Sequence, residues 1–174
     1  MTAKKQVKWT SQIVKIGVKK KVIASNPLVG FICSGGNKEV QPLELFEVEA
    51  IYQKEFSVDR IAEVRDAFIF QCFTGFAYQD MYSLTPENIV RVGRAGERWL
   101  IKDRGKTDVT EMVPILPIVQ ELIDKYKNHS YCKINNRLIL VNSNYRYNVY
   151  LKELAVICGI RRELSTHLAS RTFA

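Results

Sequence analysis

Apolar positions along the chain fall mostly at helical spacing. Residues 11–24 place Val14, Val18 and Val22 at i, i+4 intervals with lysines between them, which predicts one face of a helix. Ser25-Asn26-Pro27 then stops it, because the residue before a proline is pushed out of the helical region. Residues 43–56 read as a second helix. Ser57 can cap a third, in which Ile61, Val64, Phe68 and Cys72 form one apolar face and Thr74-Gly75 ends the run. A short helix is expected from Tyr78 to Leu84, before Thr85-Pro86.

The period then changes. Ile89 to Val92, Trp99 to Lys102 and Glu111 to Leu116 have strand character. Gly93-Arg94-Ala95-Gly96 supplies turn residues between the first two, and a polar segment over residues 103–110 separates the second from the third. Connections this short predict an antiparallel sheet. Pro117 opens another helix with Leu122, Ile123 and Tyr126 on one side. Arg137 to Val141 is a short apolar segment, Tyr145 to Cys158 is helical with Gly159 as its cap, and Thr166 to Ala174 begins a last helix. The predicted class is α+β, mostly helical with a small three-stranded antiparallel sheet. Residues 34–42, with two glycines and a proline, read as a linker between a basic arm at 1–33 and a main domain at 43–174.

Composition narrows the class. A chain of 174 residues with 47% hydrophobic content buries one core and at most a small appendage. No run of about 18 apolar residues occurs, and no apolar stretch follows the lysine-rich start, so neither a membrane span nor a signal peptide is expected. A cytoplasmic protein without membrane partners is the reading. Cys33, Cys72, Cys132 and Cys158 form no C-x-x-C pair, which speaks against a zinc site and a disulfide scaffold. No metal or other cofactor is expected, and Cys72 and Cys158, in apolar runs, are assigned to the core.

The net charge of +8 is concentrated at one end. Residues 1–38 hold eight lysines and no acid, whereas the remainder balances 18 basic against 18 acidic residues. A solvated arm and a nucleic-acid contact through Lys15, Lys19, Lys20 and Lys21 both fit.

Spacing alone makes no motif decisive. His167 and Arg171 lie at i, i+4 and share a helix face, where they either present a proton-transfer group and a cation to one phosphate or form an ordinary surface pair. Arg104-Gly105-Lys106-Thr107 is either a basic loop over an anion or a solvated turn.

Three segments in order carry a resemblance: FIFQCFTGFAYQDMYSL at 68–84, RWLIKDRGKTDVTEMVPILP at 98–117 and STHLASRTFA at 165–174. They resemble the ordered motifs of tyrosine recombinases of the phage-integrase type, closest to mobile-element integrases of Bacteroidetes-type bacteria with their T-G-L-A-Y-x-D and H-L-A-R-x-T-F-A variants. The resemblance covers nearly the whole chain. IVKIGVKKKVIASNPLVGF would match the last helix of the DNA-binding core domain that precedes the catalytic domain in that family.

What the resemblance implies is strand transfer on duplex DNA by proteins that self-associate there. A tyrosine hydroxyl attacks a phosphodiester and leaves a phosphotyrosyl bond, and side-chain cations hold the phosphate charge without a metal. By the match, Lys106 is the hairpin lysine that protonates the leaving oxygen, and His167 is the first residue of H-x-x-R. Asp80, three places after the first arginine position, is a supporting acid in the same match or an ordinary helix N-terminal acid.

The chain departs from the pattern twice. Ala77 stands at the first arginine position, and Arg65, twelve residues earlier, is either its substitute or one half of an ion pair with Glu63 or Asp66. Ser170 stands at the second, with Arg171 beside it. A one-residue shift rotates a helical side chain by about 100°. The family's nucleophile lies beyond H-x-x-R, whereas the tyrosines at 52, 78, 82, 126, 131, 145, 147 and 150 all precede it. The expectation is a catalytic domain cut off before its nucleophile, binding DNA without cleaving it. A non-catalytic DNA-binding relic and a basic helical scaffold are the alternatives.

Overall fold

A computed structural model describes residues 3–31, 41–94, 96–103 and 110–173, the side chains of residues 3 and 4 excepted. The chain divides into two compact units, residues 1–39 and 40–174. The linker expected at 34–42 falls almost wholly outside the described residues.

In the first unit, helix α1 spans Ala3–Lys19, so it begins earlier and ends earlier than the predicted 11–24. The stop is made by Lys21 rather than by Pro27. Lys21 takes a left-handed conformation (φ 59°), and the Val22 N–H turns back to the Gly17 carbonyl at 2.9 Å. Ile23 folds against Gly17, where a β-carbon would come within 2.8 Å of it. This is a reversed helix end with its hydrophobic contact, built on a lysine where glycine is usual. Lys15, Lys19, Lys20 and Lys21 are all exposed.

The second unit is built around helix α3, Asp59–Thr74. Its predicted face is confirmed, with Ile61, Val64, Phe68 and Cys72 all buried, and burial is continuous from Asp66 to Cys72. Each such apolar side chain stabilises the fold by about 1.5–3 kcal/mol. Helix α2, Leu45–Gln53, is shorter than the predicted 43–56. A reciprocal cap between Glu44 and Glu47 opens it, and Lys54 turns extended at its end. Ser57 does not cap α3: the cap position is Val58, without a side-chain hydrogen bond. Asp59 instead places a negative charge in the first turn, where the helix dipole favours it.

Gly75 ends α3 in the left-handed conformation (φ 70°), and α4 follows at Tyr78–Tyr82. A 3-10 turn at Pro86–Asn88 leads into strands β1 (Ile89–Val92), β2 (Glu97–Asp103) and β3 (Thr110–Pro114). They form one antiparallel sheet in the order β1-β2-β3. Ile89, Leu100 and Val113 stand opposite one another in a row on the core side.

Helices α5 (Pro117–Tyr126), α6 (Ser130–Asn135), α7 (Asn144–Ile157) and α8 (Thr166–Thr172) complete the unit. Between α6 and α7, the apolar segment contributes Leu138, Ile139 and Val141 to the core. Cys72 is buried and Cys158 is half-buried.

Among the described residues one charged side chain is fully buried. The Asp66 side chain is 1% exposed and accepts from the Arg65 guanidinium (2.8 Å) and the Lys125 ammonium (2.6 Å). The Tyr126 hydroxyl donates to it at 2.9 Å. Desolvation and the neighbouring Asp66 carboxylate push the Tyr126 phenol up, so it stays a donor. Breaking such a buried pair by removing one partner costs about 3–5 kcal/mol. The network ties α3 to α5.

Candidate functional site

Gln71, fully buried in α3, organises the region where the motifs meet. Its side-chain amide donates to the Phe76 carbonyl at 2.9 Å and to the Thr166 carbonyl at 3.0 Å. The Tyr147 hydroxyl donates to its Oε1 at 3.4 Å. One amide group therefore joins the residues just before Ala77 and His167. The other end of α8 is fixed as well: Phe173 packs on Gly75, where a β-carbon would lie 2.8 Å from its ring. The Thr172 hydroxyl accepts from the Leu43 N–H at 3.2 Å.

Ser165 opens α8 by accepting the Leu168 N–H at 3.2 Å. Leu168 and Ala169 turn inward, and His167 and Arg171 are both exposed. The i, i+4 spacing thus places a histidine and an arginine on one solvent-facing side of the helix. Ser170 is half-buried and donates to the His167 carbonyl at 3.3 Å.

The motif at 98–117 reaches the end of α4 along β2. The Lys102 ammonium meets the Ser83 carbonyl at the end of α4 (3.4 Å), and the Asn88 amide donates to the Ile101 carbonyl (3.0 Å). The Thr110 hydroxyl closes on Asp103 at 2.6 Å. The β2 end of the β2–β3 connection is thereby held beside α4, and the β3 end is tied to it through Asp103. Arg104 and Lys106 belong to that connection, residues 104–109, which lies outside the described residues. Asp80 sits in the first turn of α4, half-buried, its carbonyl accepting from the Ser83 N–H (3.2 Å) and hydroxyl (3.1 Å).

Arg65 stands apart from this junction. It lies six residues before Gln71, about 9 Å along the helix. Its Nε and Nη2 go to Asp66 (2.9 and 2.8 Å), and Nη1 goes to the Lys54 (2.6 Å) and Tyr52 (3.4 Å) carbonyls. The guanidinium also lies over the Phe56 ring at 5.6 Å. Of its two readings, the ion pair with Asp66 is present, in a side chain only 14% exposed.

Burial pushes up the phenols of Tyr78, Tyr131 and, fully enclosed, Tyr147. A hydrogen bond to Glu121 raises Tyr52. Tyr78 donates to the Asn142 carbonyl at 2.8 Å and stacks on Tyr82 with 5.8 Å between centroids. Gln71 and Tyr147 were not among the sequence candidates. The legible signal was one amide inside the apolar run Phe68 to Phe73.

No family model matches the chain, and no curated protein matches it by sequence. Solved structures do match. A DNA-bound lambda integrase superposes over 93% of this chain and 59% of its own, with TM-score 0.69 and 18% identity. The Tn1549 transposon integrase, in complex with a circular intermediate DNA, covers 94% of this chain and 62% of its own, with TM-score 0.68 and 15% identity. The XerH site-specific recombinase in a post-cleavage complex covers 83% and 44%, with TM-score 0.57 and 20% identity. The fold is that of the tyrosine-recombinase catalytic domain. The chain spans about 61% of the length of a further lambda integrase structure, a dimer on its core site.

Proposed function

We propose that this chain is the phosphate-holding part of a site-specific DNA recombinase that works by transesterification through a phosphotyrosyl bond. The observation that supports this best is the Gln71 junction, which joins the Ala77 turn to the start of the helix presenting His167 and Arg171. In the proposed mechanism Arg171 and His167 take the non-bridging oxygens of the scissile phosphate. A guanidinium suits that role because it donates two parallel hydrogen bonds. Lys106, in the β2–β3 connection, protonates the departing 5′ oxygen, and Asp80 supports the turn that carries Ala77. Arg65 holds the end of α2 and neutralises Asp66, which leaves it no free fork for phosphate.

The attacking tyrosine, in this reading, is not among these 174 residues. All eight tyrosines precede the segment that carries His167 and Arg171, and Tyr147 is fully enclosed. The polypeptide by itself binds duplex DNA, with Lys15, Lys19, Lys20, Lys21 and Arg104 on the backbone, and assembles with further copies there. Its place is the cytoplasm, with the DNA. No helix among the described residues is long and apolar enough to cross a membrane.

A second reading, a DNA-binding relic without chemistry, draws support from Ala77 and Ser170 at the two arginine positions and from the engaged donors of Arg65. A suicide-substrate assay separates the two. The complete reading frame should yield a protein–DNA adduct on a denaturing gel, lost in Lys106→Ala and His167→Ala. Duplex binding without an adduct would establish the relic. An adduct formed by the 174-residue polypeptide would overturn the placement of the nucleophile.

A further inference from the structure

We propose that the cavity beneath the open end of the sheet is a binding site for a small polyanion carrying several phosphates, separate from the strand-transfer region. The cavity, about 720 Å³, lies between β1, β2, α5 and α6, and its lining includes Arg91, Arg98, Lys127, Lys133 and Arg137. Asp124 is the one carboxylate among its described lining residues.

The sequence places these charges deliberately against electrostatics. Arg91 and Arg98 are direct partners in the β1–β2 register, on the side of the sheet where Ile89 and Leu100 also stand opposite each other. Like charges directly opposed across an antiparallel pair are destabilising. Among the described residues no carboxylate forms an ion pair with either guanidinium. The Arg98 guanidinium donates to the neutral Gln120 side chain, which itself donates to Asp124 at 2.9 Å. Glu87 is engaged by the Asn136 amide at 3.4 Å. The Arg137 guanidinium carbon lies over the Tyr82 ring at 5.1 Å from its centroid, so a side chain that lines the cavity is held in place on one side.

Size and charge density choose the ligand. Small-molecule sites occupy about 300–1,000 Å³, so this cavity fits a molecule rather than the side of a duplex. Five cations in that space call for several negative charges close together. Phosphates supply them at roughly 1.5–2 charges each when terminal, with acceptor oxygens that match guanidinium forks. Ile123 and Leu138 leave an apolar wall beside the cations, which suits the base of a nucleoside polyphosphate.

The cavity is not the strand-transfer site. Arg98 and Asp103 lie at opposite ends of β2, about 17 Å apart at strand spacing, and Lys106 follows Asp103. The inference therefore stands whether or not the proposed recombination does.

The probe is inorganic tripolyphosphate, titrated calorimetrically at physiological salt. Saturable binding near one per chain is expected, weakened at least 30-fold by the double variant Arg91→Ala, Arg98→Ala. The double variant Lys15→Ala, Lys19→Ala removes the same charge from α1 and should leave affinity within twofold. Without ligand, Arg98→Gln should melt no lower than the parent, because it relieves repulsion, and should lose the rise in melting temperature that tripolyphosphate gives. Adenosine triphosphate should bind at least as tightly as tripolyphosphate. Absence of saturable binding, equal losses in the two double variants, or a lower melting temperature for ligand-free Arg98→Gln would each overturn the proposal. Displacement of tripolyphosphate by a short duplex, with duplex affinity falling in the Arg91 and Arg98 variant, would assign the cations to DNA and overturn it too.

Discussion

Replacing Gln71 by leucine probes the junction that holds the candidate site together. The change keeps the volume nearly constant and removes two donors and the acceptor of a long hydrogen bond, leaving the Phe76 and Thr166 carbonyls and the Tyr147 hydroxyl without their present partner. A buried polar group that loses its hydrogen bond costs about 1–3 kcal/mol. The Phe76 bond is wholly buried, whereas the Thr166 bond is only partly so, and water reaches the second carbonyl at smaller cost. The leucine recovers some transfer energy. A net loss of about 3 kcal/mol follows, or roughly 6–12 °C in melting temperature for a domain of this size. Urea unfolding followed by circular dichroism measures it, with an unchanged slope against denaturant showing that the native state stays compact.

Gln71→Glu sharpens the test through its pH dependence. A carboxylate facing two carbonyls in a buried site is disfavoured, so its folded pKa is raised above the unfolded value of about 4.3. Stability tied to a raised pKa is full below the unfolded value and is lost as pH rises through the folded one. The glutamate variant should approach the leucine variant at pH 4–5, where a protonated carboxyl still offers one donor, and fall well below it at pH 8. A leucine variant within about 1 kcal/mol of the parent, or a glutamate variant with no pH trend relative to leucine, would refute the role given to Gln71.

Other outcomes are expected elsewhere. Changing Lys15, Lys19, Lys20 and Lys21 together to Gln should flatten the salt dependence of duplex binding by up to about 3.6 in log–log slope, at about 0.9 per phosphate contact; an unchanged slope would remove α1 from the interface. Burial raises the Glu63 carboxyl, only partly offset by His129, so its ionisation weakens the fold as pH rises. Glu63→Gln should therefore melt higher than the parent at pH 7–8 and equal to it near pH 4, checked by paired thermal melts. In the complete reading frame, Ser170→Arg should raise adduct yield by about 100- to 1,000-fold if a clamp is missing there, the usual loss when one such donor is absent; no gain in single-turnover assays would show that Arg171 already serves.

Where one physical cause decided local structure, the sequence displayed it. The strand Ile89–Val92, the left-handed Gly75 stop and the inward face of α3 follow from alternation, from glycine and from helical spacing. The misses share a different origin. Lys21 ends α1 in a conformation that costs lysine energy and that its neighbours recover through Gly17 and Ile23, a trade among three residues that no propensity records. Helix α6, Ser130–Asn135, has six residues and a single buried side chain, Cys132, too little pattern to read. Ser57 has the right chemistry for a cap one residue too early.

The same distinction separates the residues that carry chemistry from those that place them. His167, Arg171 and Lys106 were singled out by the resemblance, and of these His167 and Arg171 stand together on the exposed face of α8. Their placement rests on groups with no reactivity to advertise. Gln71 works by donating to two backbone carbonyls far apart in sequence, and Gly75 works by leaving room for Phe173. Arg65 was open to two readings, and the buried Asp66 beside it requires a counter-charge wherever the chemistry happens. The demand of a buried carboxylate is local and immediate, and it explains this arginine before any substrate is invoked.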